Sequence, residues 1–174
     1  QCLYTGMATD TGCFKYSNTS ALTHRLAAAC MDCGIPYAQI NRTMFDIKSR
    51  ARIELERLAL QAITFHYHGR CAVMAITNDM IEKSKAEEND LEGLPPIPRQ
   101  IEGVWVGVTL RQKADGSYKI SLRTGTHANA AEICRVLGGG GHPAAAGCTV
   151  NLPLSEAIDK IVAVIGDTVD GIRD

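Results

Sequence analysis

The chain has 174 residues, of which 45% are hydrophobic and 21% charged, the make-up of ordinary globular material in one domain or two small ones. A formal net charge of −1 at pH 7 argues against a protein that coats long nucleic acid through a basic face, but allows a short anionic ligand held by a few well-placed donors. No apolar run is long enough to cross a bilayer, the start is no signal peptide, and seven irregularly spaced cysteines fit a reducing cytoplasm better than a disulfide framework.

The first residue is Gln1 rather than Met, and the opening stretch reads as the tail of an element, so the chain is expected to be a piece of a longer protein. An apolar start runs into a Thr9-Asp10-Thr11-Gly12 loop, where Thr and Asp before Gly suit a turn. A helix is expected next, with Asn18 or Thr19 as its N-cap and Leu22, Leu26, Ala29 and Cys33 along one face. Gly34 and Pro36 stop it. His24 reads as a surface or packing residue, and the lone C-x-x-C of Cys30 and Cys33 as two small, partly buried helix residues. Met44, Ile47, Ala51, Leu55, Leu58 and Ala62 make one apolar stripe, which predicts a second helix over about 43–64.

The periodicity then changes, and the boundary is placed so that residues 1–65 form one part and residues 66–174 another. His66 and His68 alternate before Gly69 and are expected on one face of a strand at a hairpin surface. Cys71–Ile76 is a short continuous apolar run, read as a strand covered on both faces. Asn78 is expected to cap a polar helix through about Lys85, and the prolines between Leu94 and Pro98 forbid a regular helix there. Val104, Val106, Val108 and Leu110 point one way and Trp105, Gly107 and Thr109 the other. A turn at Asp115-Gly116 returns the chain as a strand with Tyr118, Ile120 and Leu122 inward and Lys119, Ser121 and Arg123 on the opposite face. Asn129 caps a short helix expected to carry Ile133, Val136 and Leu137 inward. Cys148–Val150 reads as a last strand, and Leu154, Ile158, Ile161 and Ile165 as the buried stripe of a closing helix.

That short helix leads into Gly138–Gly147, GGGGHPAAAG. Four glycines without Cβ atoms can take positive φ and let a ligand approach their amides, and a concave run of amides is an anion nest. His142 adds a side-chain donor. Pro143 suits the first position of a helical turn, whose amides at Ala144, Ala145 and Ala146 would point at the same anion. The rival reading is that Gly138 caps the preceding helix and the other glycines are slack.

GGGGHPAAAG resembles the glycine-histidine motif of the DHHA1 domain, the substrate-binding half of DHH phosphoesterases. Ala8–Phe14, ATDTGCF, resembles the metal-binding aspartate loop near the end of the DHH catalytic domain. Lys119–Gly125, KISLRTG, resembles the strand that brings a phosphate-binding arginine to the cradle. The three occur in the family's order and span nearly the whole chain, which is most similar to the nanoRNase type, oligoribonucleases that also dephosphorylate phosphoadenosine phosphate. The resemblance implies an α/β fold: the helical end of a DHH domain, then a DHHA1 domain with a mixed β-sheet flanked by helices. It implies that Arg123, Gly139, Gly140, Gly141 and His142 bind substrate phosphate, and that Asp10 ligates metal. The implied reaction is metal-assisted phosphoester hydrolysis with two divalent cations, usually manganese. The implied partners are short single-stranded RNA or DNA, or a 3′-phosphonucleotide. No Asp-His-His triplet occurs in the sequence. One carboxylate cannot hold two metals, so the chain is expected to be the gripping module, with a DHH domain preceding it in cis and little activity alone. Thr124 stands where relatives often carry serine. Two other readings remain open: a non-catalytic nucleic-acid-binding module of the alanyl-tRNA synthetase type, and a small-molecule nucleotide sensor.

Overall fold

The computed structural model describes residues 1–173 and divides into two compact units, the second beginning at Ser49. No helix among the described residues is long and apolar enough to cross a membrane.

The first unit is helical: α1 (Cys2–Asp10), α2 (Ala21–Asp32), and α3 (Tyr37–Asn41) running into a π-helical turn at Arg42–Asp46. Its small core gathers Tyr4, Ala8 and Ala27, with Phe14, Cys30, Ile35, Ile40 and Phe45 packed around them. The N-cap of α2 is Ser20, not Asn18 or Thr19. Ser20 and Thr23 form a reciprocal capping box, each side chain accepting from the other residue's amide. Ala27 is the buried residue of α2, while Leu22 and Leu26 are 56% and 49% exposed, so the expected inward face does not lie inward within this unit. His24 stacks on Phe14, with ring centroids 5.3 Å apart.

The single helix expected over about 43–64 is interrupted. Met44 and Ile47 stay exposed, Ile47 is extended, and Ser49 caps a new helix, α4 (Arg50–Gln61), by accepting from the Arg52 amide. A Ser cap satisfies an otherwise orphaned first-turn donor, and here it wins over a continuous apolar spacing. Leu55 and Ala59 are the buried residues of α4, which packs within the second unit.

The second unit is built on a six-stranded mixed sheet in the order β1-β2-β3-β4-β6-β5. Its strands are β1 (Thr64–His66), β2 (Cys71–Ile76), β3 (Val106–Gln112), β4 (Tyr118–Thr124), β5 (Gly140–His142) and β6 (Ala145–Val150). β2 and β3 are parallel and the other neighbours antiparallel. His66 ends β1, but Tyr67 and His68 take positive φ (52° and 54°) in the hairpin turn, so the two histidines do not share a strand face. α5 (Asn78–Ser84) is capped by Thr77 rather than Asn78, and two 3-10 turns, Glu88–Leu91 and Ile97–Gln100, lead to β3.

Alternation along the strands sorts the sheet into two faces. Val106, Val108, Leu110, Tyr118, Ile120, Leu122, Ala146, Cys148 and Val150 make the main core with α6 (Ala130–Val136) and α7 (Leu154–Thr168). α6 buries Ala130, Ala131, Ile133 and Cys134; Val136 is 61% exposed, against the expectation that it points inward. α7 buries Ala157, Ile161 and Ile165, with Leu154 and Ile158 packed beside them. On the opposite face a second core of Leu55, Ala59, Met74, Ile76, Leu91 and Leu94 covers the β2 side. Over β4, β6 and β5 that face carries Lys119, Ser121, Arg123, Thr149, Gly147, Ala145 and His142. None of these is buried.

Candidate functional site

The glycine-rich segment does three separate jobs. Gly138 (φ +76°) is the left-handed residue that ends α6. Its amide donates to the Arg135 carbonyl at 3.1 Å and the Gly139 amide to the Cys134 carbonyl at 2.9 Å, the paired bonds of a Schellman ending. The capping role weighed for Gly138 is therefore present, and the Gly139 amide is engaged with the helix. Gly139 serves close approach, since a Cβ there would meet the Gly147 carbonyl and lie 2.5 Å from Cys148 Cβ. Gly140–His142 then form β5, an edge strand. Every second backbone amide of an antiparallel edge strand points away from its neighbour and stays open to a ligand.

Pro143 does not begin a helical turn, and Ala144–Ala146 do not present a helix N-terminus. His142 pairs with Ala145, so Pro143 and Ala144 are the two-residue turn of a β-hairpin. The fixed φ of proline suits the first central position of a type I turn, and neither Pro143 nor Ala144 takes the positive φ that primed hairpin turns require. Inward alternation of Ala146, Cys148 and Val150 draws the alanines into β6 beside β4.

The hairpin tip is held from β4. Thr124 Oγ1 donates to the Pro143 carbonyl at 2.7 Å, the Thr124 amide to the Ala144 carbonyl at 3.1 Å, and the Ala130 amide to the Pro143 carbonyl at 2.7 Å. Thr124 is itself buried, so its hydroxyl positions the loop. The acceptor of that hydroxyl, 19 residues away, is set by the hairpin and not by any local pattern.

Arg123 and His142 are brought together on one face. Arg123 is the register partner of Ala145 in β4–β6, and His142 is the register partner of the same Ala145 in β5–β6. Directly opposed residues point to the same side of a sheet, and two strand spacings separate their backbones by about 10 Å. One Arg123 terminal nitrogen donates to the Leu122 carbonyl at 2.9 Å, and neither Arg123 nor His142 has an acidic partner among the described residues. The guanidinium and the imidazole thus project from the same face on either side of Ala145, and among the described residues no carboxylate pairs with either. Such a surface suits a phosphate, which accepts two parallel bonds from a guanidinium fork.

The same face continues into a cavity of about 340 Å³ beside Ile76, Leu91, Pro95, Thr109, Arg111 and Lys119. The Glu88 carboxylate clamps its outer wall to β3 through two bonds from Arg111, one of them 2.7 Å. That bond from Arg111 holds the Glu88 carboxyl below its ordinary value.

Asp10 is the last residue of α1, in the other unit, exposed, and accepts from the Asn18 side-chain amide at 3.0 Å. No group of three or more His, Cys, Asp or Glu able to hold a metal occurs among the described residues. The described donors therefore do not fit a two-metal centre.

This mixed sheet, with α6 and α7 against one face and the Arg123–His142 row on the other, is that of a DHHA1 domain: the DHHA1 domain family model matches residues 69–171, and the chain belongs to the DHHA1 family. It is 33% identical over 92% of its length to the bifunctional oligoribonuclease and PAP phosphatase NrnA of Thermus thermophilus, and 25% identical over 83% to a probable NrnA of Streptococcus mutans. It spans about half of each relative, 48% and 46% respectively. Among solved structures, an exopolyphosphatase-related protein from Bacteroides fragilis superposes with a TM-score of 0.85 at 26% identity. The match covers 95% of this chain and 50% of that one. A Vibrio pGpG-specific phosphodiesterase, PggH, shares the fold at TM-score 0.51 and 12% identity, covering 94% of this chain and 55% of that one.

Proposed function

We propose that this chain is the substrate-gripping portion of a DHH-type phosphoesterase that hydrolyses short oligonucleotides or nucleotide phosphates. The observation that carries the reading is the shared row of Arg123, Ala145 and His142 on the open sheet face. Arg123 takes two phosphate oxygens with its planar fork. His142 donates to the same group from the next strand but one, and the one outward amide of the Gly140–Gly141 edge completes the cradle. Gly139 contributes by letting the strand lie close to Cys148. The grip fixes the phosphate while the sheet keeps both donors in place, so little ordering is needed on binding.

By family resemblance, divalent cations, usually manganese, would supply Lewis-acid chemistry to the longer protein's hydrolysis; the described residues do not by themselves hold them. Asp10 would be one carboxylate ligand of such a centre, with the remaining ligands supplied by a DHH domain in cis. Seven unpaired cysteines suit a reducing cytoplasm.

Calorimetric titration of the chain with adenylate dinucleotide tests the reading. Arg123→Met is expected to weaken binding about 10- to 100-fold, the equivalent of one charge-assisted bond. Unchanged affinity in that variant defeats the assignment. Robust manganese-dependent cleavage by this chain alone would overturn the division of labour.

A further inference from the structure

We infer that Arg99 is a further ligand-binding residue of this site, a second cation beside Arg123 and His142 that takes the second phosphate of a ligand carrying two, one nucleoside apart. The inference deepens the reading of Arg123 and His142 as a phosphate grip and rests on it. Arg99 lies in the 3-10 turn Ile97–Gln100, between β2 and β3 in sequence, and no motif marks it.

Two glycines seat this one side chain. At Gly107 a Cβ would lie 2.5 Å from the Arg99 amide nitrogen and 2.8 Å from its Cβ, so only glycine lets the turn rest on β3 there. Gly107 is the register partner of Arg123, and its missing side chain would share the face on which Arg123 projects. The guanidinium then crosses toward β4. A Cβ on Gly125 would overlap Arg99 Nη2 and lie 3.3 Å from Cζ. Gly125 stands two residues beyond Arg123, the same face by alternation and about 7 Å along the strand. The two guanidiniums therefore sit at the same end of β4, on the same side of the sheet.

Arg99 Nε is buried without a hydrogen-bond partner, and its terminal nitrogens make no hydrogen bond or ion pair among the described residues. Arg52 and Arg111 also have a buried, unbonded Nε, but their terminal nitrogens reach the Glu92 carbonyl and the Glu88 carboxylate. A partly desolvated guanidinium with no acceptor, beside another with no acid, is unfavourable on both counts. An anion between or across them relieves both. The backbone around Arg99 is already fixed, Pro98 directly preceding it and its amide donating to the Pro96 carbonyl at 3.1 Å, so the donor is organised before the ligand arrives.

The test titrates the whole chain with adenosine monophosphate, adenosine 3′,5′-bisphosphate and 5′-phosphorylated diadenylate, for the native sequence, Arg99→Met and Arg123→Met. Arg99→Met is expected to bind the bisphosphate, the phosphorylated dinucleotide, or both about 10- to 100-fold more weakly. It should hold the monophosphate within about twofold and show no fall in unfolding temperature, because the side chain makes no bond to lose. A drop confined to one two-phosphate ligand identifies which source of the second phosphate the site takes. Equal losses on all three ligands, no loss on any, a lowered unfolding temperature, or a native chain that does not prefer two phosphates to one would each overturn the inference. Arg123→Met should weaken all three. If it weakens none while Arg99→Met still discriminates, the Arg123–His142 grip is refuted and the Arg99 point survives it.

Discussion

Arg123 and His142 are register partners of one residue, Ala145, which receives them from β4 on one side and β5 on the other. On that face the strand between theirs presents only the Ala145 methyl at that position. The small side chain leaves the depth in which a phosphate can touch both donors. Ala145→Leu is expected to fill that depth and weaken nucleotide binding at least tenfold. The half-buried strand position tolerates an apolar side chain, so stability should change by less than about 1 kcal/mol. Paired titration and thermal unfolding check this, and retained affinity would show that the ligand does not lie across the row.

The glycines can be told apart by contrast. A Cβ on Gly140 meets nothing within 4 Å, whereas one on Gly139 collides with the Gly147 carbonyl and Cys148. Gly140→Ala should therefore keep the native unfolding temperature within a degree or two while lowering phosphate affinity, because only access to the edge amides is changed. Gly139→Ala should unfold earlier, with a loss of roughly 1–3 kcal/mol from overpacking. Equal behaviour of the two variants would mean that the run is uniform slack.

Thr124 offers a test of what positions the hairpin. Thr124→Val keeps the shape and removes the hydroxyl that donates to Pro143. The expected loss is about 1 kcal/mol, or roughly 2–4 °C for a chain of this size. Amide exchange at the β5–β6 turn should accelerate beyond what the global loss explains. Thr124→Ser should recover most of both. Exchange that rises evenly through the sheet would point to lost packing instead.

How much of this was legible beforehand follows from which forces are local. The strands at Cys71–Ile76, Val106–Gln112 and Tyr118–Thr124 showed in the sequence because alternation or a full apolar run directly reflects which faces are buried. Arg123 on the face opposite Leu122 followed from the same alternation. The Pro143 turn was misjudged because a proline favours both the start of a helix and a tight turn. The deciding fact, β6 adding to β4, is a long-range pairing. The helix over 43–64 was misjudged because Met44 and Ile47 carry helical spacing without being buried in their unit, so spacing alone could not locate the Ser49 cap. Arg99 was invisible because what distinguishes it is the absence of Cβ atoms at Gly107 and Gly125, residues close in space but not in sequence.

The wall of the adjoining cavity supplies a prediction in pH. Arg111 holds Glu88 with paired bonds and lowers its carboxyl from the ordinary value of 4.5. A carboxyl whose folded-state value is depressed binds its proton more readily in the unfolded chain, so folding is favoured by this group above the unfolded value. That contribution is complete above about pH 4.5 and disappears as pH falls through the depressed folded value. Glu88 is exposed and screened, so the effect on global stability is small, and the local anchoring of the Glu88–Leu91 turn on β3 is where it should be read. Amide exchange in that turn is expected to rise on acidification below pH 4.5 in the native chain. In Glu88→Gln it should already be high at neutral pH and change little with acid. A native turn that loosens in acid together with an unchanged response in Glu88→Gln would assign the transition to another group, Asp90 first, whose carboxyl is also held low, by Ser49 and by the Glu87 amide.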